Sequence, residues 1–151
     1  MERAGAIFPY QRILDWKEQQ ERALQLEIAR LERAILALRR ERARWTALRE
    51  ETFDRFREAR AKAELDVADQ YPRYLEHLRD QVRRCTDKIR ELQEDKEKVR
   101  KEIERVMQSR KLLEQFKERK LKQYWAEQEQ GEQRALDAYS IERFIRGEAA
   151  P

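Results

Sequence analysis

Apolar side chains recur at alternating steps of four and three residues in the central part of the chain. The positions are Leu75, Leu78, Val82, Cys85, Ile89, Leu92, Lys96, Val99, Ile103, Val106, Arg110 and Leu113, and ten of the twelve are apolar. The residues between them are mostly charged or amide side chains, without Pro or Gly. An apolar repeat of 3.5 residues that holds over five heptads indicates a helix that supercoils against a second helix.

The same spacing occurs earlier in the chain. Its positions are Leu24, Ile28, Leu31, Ile35, Leu38, Arg42, Trp45, Arg49, Thr52 and Phe56. Pro9 suits the first turn of such a helix, because an N–H at that position would have no intrahelical acceptor. We therefore predict a first long helix over about residues 9–58, preceded by a frayed segment at residues 1–8.

The repeat lapses in an Ala-rich segment over about residues 59–71, where we predict that the chain reverses. A second helix then covers about residues 72–146, and residues 148–151 form a loose tail. Residues 1–151 are thus predicted to form a single all-α domain, an antiparallel two-helix coiled-coil hairpin with long helices.

The hairpin also predicts which positions face each other. If the turn lies at its midpoint, facing positions have numbers that sum to roughly 130. This pairing places Leu31 near Val99 and Leu14 near Phe116. The more apolar stretch of one repeat then faces the more apolar stretch of the other, as a stable hairpin requires.

The composition agrees with long helices. Of the 151 residues 44 % are charged and six are Gly or Pro, while 40 % are apolar, and the regular register of the apolar residues argues against a disordered chain. The formal net charge of +4 comes from 35 basic and 31 acidic residues, so we expect mixed, solvated faces and no nucleic-acid partner. Apolar runs are too short for a membrane span or a signal peptide, and we expect a cytoplasmic protein without membrane insertion.

The chain offers little for catalysis. His77 is the only histidine and lies off the apolar repeat, and Cys85 is the only cysteine and occupies a core position. One Cys and one His do not complete a metal site, and three scattered glycines do not build a phosphate-binding loop. We expect no enzymatic activity, no catalytic residue, no metal and no cofactor.

Aromatic residues outnumber the places where a two-helix coil can bury them. One group is Trp16, Trp125, Tyr139 and Phe144, and the other is Phe53, Phe56, Tyr71 and Tyr74. Trp and Tyr are favoured anchors of protein interfaces. Both groups are therefore predicted to contact partner proteins, with the basic run at residues 117–122 as a further docking surface near Phe116.

Three segments resemble the FliJ family of flagellar export proteins. Residues 8–18 (FPYQRILDWKE) resemble the family's opening, an aromatic residue followed by an apolar–Gln–x–apolar–Leu–Asp stretch. Residues 71–78 (YPRYLEHL) resemble its entry into the second long helix, and residues 132–137 (EQRALD) its Glu-Gln-Lys-x-Leu-Asp signature. Arg134 replaces the usual Lys, and Ala138 stands where an acid is common. The resemblance spans nearly the whole chain.

The resemblance implies a non-enzymatic stalk of a type III export ATPase, similar in architecture to the gamma subunit of rotary ATP synthases. Such a stalk would bind the hexameric export ATPase, promote its assembly and turnover, and couple it to the cytoplasmic domain of the membrane export gate. The family is also credited with escorting export chaperones. The expected location is cytoplasmic, peripherally associated with the export apparatus at the inner membrane. The virulence-secretion counterpart shares this plan.

Specific residues are expected at each contact. The expected ATPase-binding residues are Phe8, Ile13, Leu14, Gln133, Leu136 and Asp137, and the expected gate-binding residues are Trp45, Phe56, Tyr74 and Leu78. Two other classes stay open as alternatives. One is a prefoldin-like holdase, which needs assembly strands between its helices, and the other is a generic coiled-coil scaffold whose core closes between two chains.

Overall fold

The computed structural model describes residues 8–147, and three helices make up its secondary structure within that range. Helix α1 spans Gln11–Ala61, the short helix α2 spans Leu65–Ala68, and helix α3 spans Tyr71–Ile145. Strands are absent from the described residues. The predicted all-α hairpin of two long helices is confirmed, whereas the predicted fraying of residues 1–7 and the loose tail at 148–151 lie outside the described residues.

Contacts between residues divide the chain into two compact units. We call residues Arg22–Glu104 the turn unit, and Met1–Glu21 together with Arg105–Pro151 the terminal unit. The turn unit contains most of α1, all of α2 and the first part of α3. The terminal unit contains the start of α1 and the remainder of α3.

The core of the turn unit is the predicted apolar repeat. Its buried members include Leu31, Ile35, Leu78, Cys85, Ile89 and Ile103. Every predicted core position of α3 in this unit is buried or half-buried, and on α1 only Arg49 among the predicted positions is exposed. A long basic side chain on a core position keeps its charge in water, which explains the exception.

Polar contacts between the helices show the antiparallel register of the turn unit. Lys96 Nζ lies 3.3 Å from Glu32 Oε1, and Arg42 Nη1 donates a hydrogen bond of 3.5 Å to Thr86 Oγ1. In both pairs a low number on α1 meets a high number on α3, and the two numbers add to slightly less than the predicted sum of roughly 130. Facing positions therefore lie close to where the sequence predicts them.

The chain reverses between α1 and α3 after an Ala-rich C-terminal cap of α1. Ala63 adopts a left-handed conformation with φ of 58°. The Glu64 N–H donates to the Ala59 carbonyl at 3.0 Å, and the Ala63 N–H donates to the Arg60 carbonyl at 3.1 Å. These two bonds form a Schellman motif, in which the left-handed position usually holds Gly. Ala59 is buried in this turn.

The terminal unit brings the start of the chain against α3. Phe8 is fully buried, so the prediction that residue 8 is frayed is wrong. Its ring centroid lies 5.9 Å from that of Phe116 and 6.0 Å from that of Tyr10, and Tyr10 in turn lies 6.1 Å from Phe116. Three rings at such separations pack edge to face or tilted, which is the favoured geometry of aromatic pairs. This cluster fixes residues 8–10 on α3.

Replacing Leu31 by Ala should destabilise the turn unit. Leu31 is 2 % exposed, and truncation of a buried Leu costs about 2–4 kcal/mol of unfolding free energy through lost burial and a residual cavity. The measurement is the urea midpoint of the helical signal at 222 nm. The matched control is Leu26→Ala on the same helix: Leu26 is 72 % exposed, and its truncation should cost less than about 0.5 kcal/mol. Equal losses would contradict the assigned core.

Replacing Ala63 by Gly should stabilise the turn. A left-handed conformation costs a non-Gly residue roughly 1–2 kcal/mol, and the greater freedom of Gly in the unfolded chain offsets part of that gain. We expect a net increase of about 0.5–1 kcal/mol in the unfolding free energy, measured in the same urea titration. Ala61→Gly, at the last residue of α1, is the control and should lower stability instead. A loss in both variants would argue against the left-handed turn.

Candidate interaction surfaces

The last part of α3 has no neighbouring helix among residues 8–147. Leu121 and Tyr124 are the last half-buried residues, and every residue from Trp125 to Gly147 is exposed. We call residues 125–145 the exposed C-terminal helix. Its large apolar side chains are Trp125, Leu136, Tyr139, Ile141, Phe144 and Ile145. Gly131 lies inside it without breaking it, and a Cβ there would meet no atom within 4 Å.

These apolar residues are spread around the helix. Leu136, Tyr139 and Arg143 follow the i, i+3, i+7 spacing of one face, and the Arg143 guanidinium lies 5.9 Å from the centre of the Tyr139 ring. Ile141 and Ile145 follow the i, i+4 spacing on the opposite face. A helix that is apolar on several sides is typical of one enclosed by other protein. The exposed C-terminal helix is therefore the strongest candidate docking element of the terminal unit.

The residues predicted to bind an ATPase fall into two separate places in the terminal unit. Phe8, which belongs to the Phe116 ring cluster, and Leu14 are buried, and Ile13 beside Leu14 in the first turn of α1 is exposed. Gln133, Leu136 and Asp137 are exposed on the C-terminal helix. Leu136 is twenty residues beyond Phe116 on α3, which is roughly 30 Å of helix at 1.5 Å per residue. The structure does not join the two sets into one patch.

A half-buried ion pair holds the start of α1 against α3. Arg110 Nε donates to Glu21 Oε2 at 2.6 Å across the two helices, and Arg110 Nη1 donates to Glu114 Oε1 at 2.7 Å within α3. The carboxylates of Glu114 and Glu21 raise the pKa of Arg110 above its ordinary value, so the guanidinium stays charged. Because a repeated apolar pattern can pair in several registers, this bond selects one of them.

The turn unit carries a second candidate surface, made of aromatic residues. We call it the aromatic surface and define it as Trp45, Phe53, Phe56, Tyr71, Tyr74 and His77. His77 links two of its members: its ring centroid lies 6.4 Å from that of Trp45 on α1 and 6.3 Å from that of Tyr74 on α3. Phe56 and Tyr71 lie 6.0 Å apart across the two helices. Aromatic side chains clustered in this way suit a protein interface.

The residues predicted to bind an export gate all lie at or near the aromatic surface. Tyr74 is exposed, Trp45 and Phe56 are half-buried, and Leu78, one helical turn after Tyr74 on α3, is fully buried. Leu78 can therefore act only through the packing of α3, whereas the other three can touch a partner. His77 was missed as a member of this group, although its spacing of three residues from Tyr74 places both on one helix face.

A shallow concave region adjoins the aromatic surface. Its lining residues are Arg49, Phe53, Pro72, Leu75, Glu76 and Arg79. The Arg57 guanidinium lies 4.5 Å from the centre of the Phe53 ring. Arginine beside aromatic rings is the composition found at interface anchors. A partner with acidic and apolar groups fits this region.

The part of the chain that the structure describes offers little support for a metal site or a reactive cysteine. No group of three or more His, Cys, Asp or Glu side chains among residues 8–147 could hold a metal ion. Burial raises the pKa of the Cys85 thiol above its ordinary value, which disfavours the reactive thiolate. Across the same residues, no helix has the length and apolarity needed to cross a membrane.

One motif in the terminal unit was missed by the sequence reasoning. The pattern Gln-Arg-x-Leu-Asp occurs twice, at residues 11–15 and at residues 133–137. A search of the chain for short internal repeats would have found it. In both copies the Gln side chain donates a hydrogen bond to the Asp four residues later, at 2.9 Å and 3.1 Å.

Comparison with protein families gives one assignment. The family model described as Flagellar FliJ protein matches residues 7–149, nearly the whole chain. Comparisons with curated proteins and with solved structures give no match.

Removing the negative charge of Glu21 should loosen the start of α1. Glu21→Gln replaces the ionic bond from Arg110 to the other helix by a weaker one to a neutral amide oxygen, and a hydrogen bond to a charged group contributes about 1.5–3 kcal/mol at full strength. Amide hydrogen exchange of residues 11–20, measured by mass spectrometry, should accelerate by about tenfold or more.

The control for this change is Glu114→Gln, which removes a bond to the same guanidinium within α3. Exchange of residues 11–20 should then change little. If both variants accelerate exchange equally, the ion pair between the helices does not hold this segment.

Proposed function

This chain belongs to the FliJ family and is a component of the flagellar export apparatus, which confirms the resemblance seen in its sequence. On that premise we propose that it is a non-enzymatic stalk that binds the hexameric export ATPase and promotes its assembly and turnover. The same stalk contacts the cytoplasmic domain of the export gate membrane protein and escorts export chaperones.

The observation that carries the ATPase assignment is the exposed C-terminal helix. Six large apolar side chains between Trp125 and Ile145 are exposed to water. Exposed apolar groups on several sides of one helix favour a site that encloses it. The central opening of a ring of six subunits is such a site, because it surrounds a helix from every direction. Gln133, Leu136 and Asp137 are the residues assigned to this contact.

The start of α1 contributes to the same contact in a different way. Ile13 is exposed and can touch the ring directly. Phe8 and Leu14 are buried, so their role is to hold the segment on α3 and keep Ile13 in place. Truncating either of them would therefore act through the position of the segment.

The aromatic surface of the turn unit is the site proposed for the export gate. Tyr74 is exposed, and Trp45 and Phe56 expose part of their rings. Leu78 is fully buried, so its role in this contact is to hold α3 in place. Tyr and Trp supply large contact areas with few rotatable bonds, so their immobilisation costs little entropy.

The structure offers less support for the two alternative classes. A prefoldin-like holdase needs assembly strands between its helices, and the segment between α1 and α3 holds only the short helix α2. A scaffold whose core closes between two chains would leave the apolar repeat of a single chain unpaired. In the turn unit the repeat is paired within one chain, through contacts such as Lys96 with Glu32.

The experiment that tests the stalk is a titration of this protein into its cognate export ATPase at fixed, low ATPase concentration. Stimulated turnover should saturate at well below one copy per ATPase subunit, because one stalk serves one ring. If this protein neither binds the ATPase nor stimulates its turnover, the proposal is contradicted.

Variants of the two surfaces should separate the two contacts. Leu136→Ala combined with Phe144→Ala should weaken ATPase binding by about tenfold or more, since buried anchors of an interface contribute at least about 1–2 kcal/mol each, and should spare binding of the gate domain. Tyr74→Ala should do the reverse. Each variant is the control for the other, with affinities measured by surface-immobilised binding assays. Loss of both contacts in either variant would contradict the assignment of surfaces.

A further inference from the structure

The repeated Gln-Arg-x-Leu-Asp motif provides a comparison inside the terminal unit. The two copies share their side chains and the bond from Gln to Asp, Gln11 to Asp15 and Gln133 to Asp137. In each copy this bond satisfies one amide donor and one carboxylate oxygen on the helix surface. The Leu that precedes the Asp in each copy is the residue of the motif that can make an apolar contact.

The first copy is already docked on another helix. Leu14 is 3 % exposed, and Lys17 and Glu21 continue the same face at the i+3 and i+7 positions, both half-buried. Glu21 ends this face with its ion pair to Arg110 of α3. The start of α1 thus shows how a helix with this motif binds a second, antiparallel helix.

The second copy presents the equivalent face to solvent. The positions that correspond to Leu14, Lys17 and Glu21 are Leu136, Tyr139 and Arg143, and Leu136 is 60 % exposed. The face is more apolar than in the first copy, because Tyr replaces Lys. Its last position carries the opposite charge, because Arg replaces Glu.

We propose that the second motif docks by this face on an α-helix of the export ATPase, in the manner of the first motif on α3. The ATPase helix offers an apolar groove to Leu136 and Tyr139 and a carboxylate to Arg143. This inference rests on the proposed function, and it adds which face of the exposed C-terminal helix binds and what chemistry receives it.

Charge selects the ATPase helix over a second copy of this chain. The surface of α3 that receives the first motif has Arg110 opposite the last position of the face. Arg143 of a second copy would bring like charge to that position, where repulsion opposes docking. A carboxylate on the partner would instead attract the positive charge at that position.

An anionic lipid surface is also a poor occupant. Residues 125–147 contain five acidic and three basic side chains, whereas helices that lie on anionic membranes are rich in Lys and Arg on their polar face. The net negative charge of this segment would be repelled by an anionic surface. The charges thus disfavour both alternatives, and the ATPase helix of the proposed function remains the occupant.

The test measures the affinity of the full-length protein for the purified export ATPase in matched variants of two helix faces. Leu136→Ala and Arg143→Glu alter the proposed docking face. Ile141→Ala and Arg134→Glu make corresponding changes on the opposite face, where both residues are also exposed. We expect losses of about tenfold or more on the docking face and clearly smaller losses, about threefold or less, on the opposite face, which the ring surrounds without a matched groove.

A further variant tests the carboxylate. Arg143→Gln removes the charge without reversing it and should cost less than Arg143→Glu, and the affinity of the unmodified protein should fall with rising salt. Circular dichroism of each variant checks that helicity is unchanged.

Each outcome separates this inference from the proposed function. Equal losses on both faces would mean that the ring binds the helix evenly on all sides, which overturns the docking face and leaves the stalk intact. Losses in Leu136→Ala without losses in Arg143→Glu would overturn the partner carboxylate. Binding that no variant weakens would overturn the role of the second motif. No binding of the unmodified protein would overturn the proposed function together with this inference.

Discussion

Two helices packed side by side can bury only one stripe of each, and this limit shapes both units of the protein. In the turn unit residues such as Leu31 and Leu78 occupy the buried stripe, and the stripe has little space for further apolar side chains. Any further aromatic or apolar side chain must then remain at the surface. The aromatic surface and the exposed C-terminal helix are consequences of that limit, and they are what the chain can offer to partners.

A heptad repeat buries its stripe equally well in several registers, so polar contacts must select among them. In the turn unit Lys96 meets Glu32, and in the terminal unit Arg110 meets Glu21. Each of these bonds is satisfied in one register only. The tight turn at Ala63 also restricts the register, because a short connection determines which positions of α1 can face which positions of α3. The stop at Ala63 tolerates a left-handed residue other than Gly, which indicates that tertiary packing of α1 on α3 supplies the energy.

Periodicity predicted most of the fold, because burial of a stripe leaves a direct trace in residue spacing. It could not show what covers an apolar residue. Leu78 and Tyr74 both looked like partner contacts in the sequence, yet one is fully buried and the other exposed. Phe8 lies outside any repeat, and its burial depends on a ring cluster with Phe116 that joins distant parts of the chain. The position of the turn was predicted from the sequence, but its Schellman motif was not, because an alanine gives no sign of a left-handed conformation.

The exposure of residues 125–147 also bears on how long an individual molecule would survive. A helix without packed neighbours opens locally with little free-energy cost, and opened segments are where proteases cut. Arg134, Arg143 and Arg146 lie in this segment, where a protease that cuts after basic residues would act. A partner that encloses the helix would shield it. Surplus copies would then be removed while assembled copies persist, so the abundance of the protein would follow that of its binding partner.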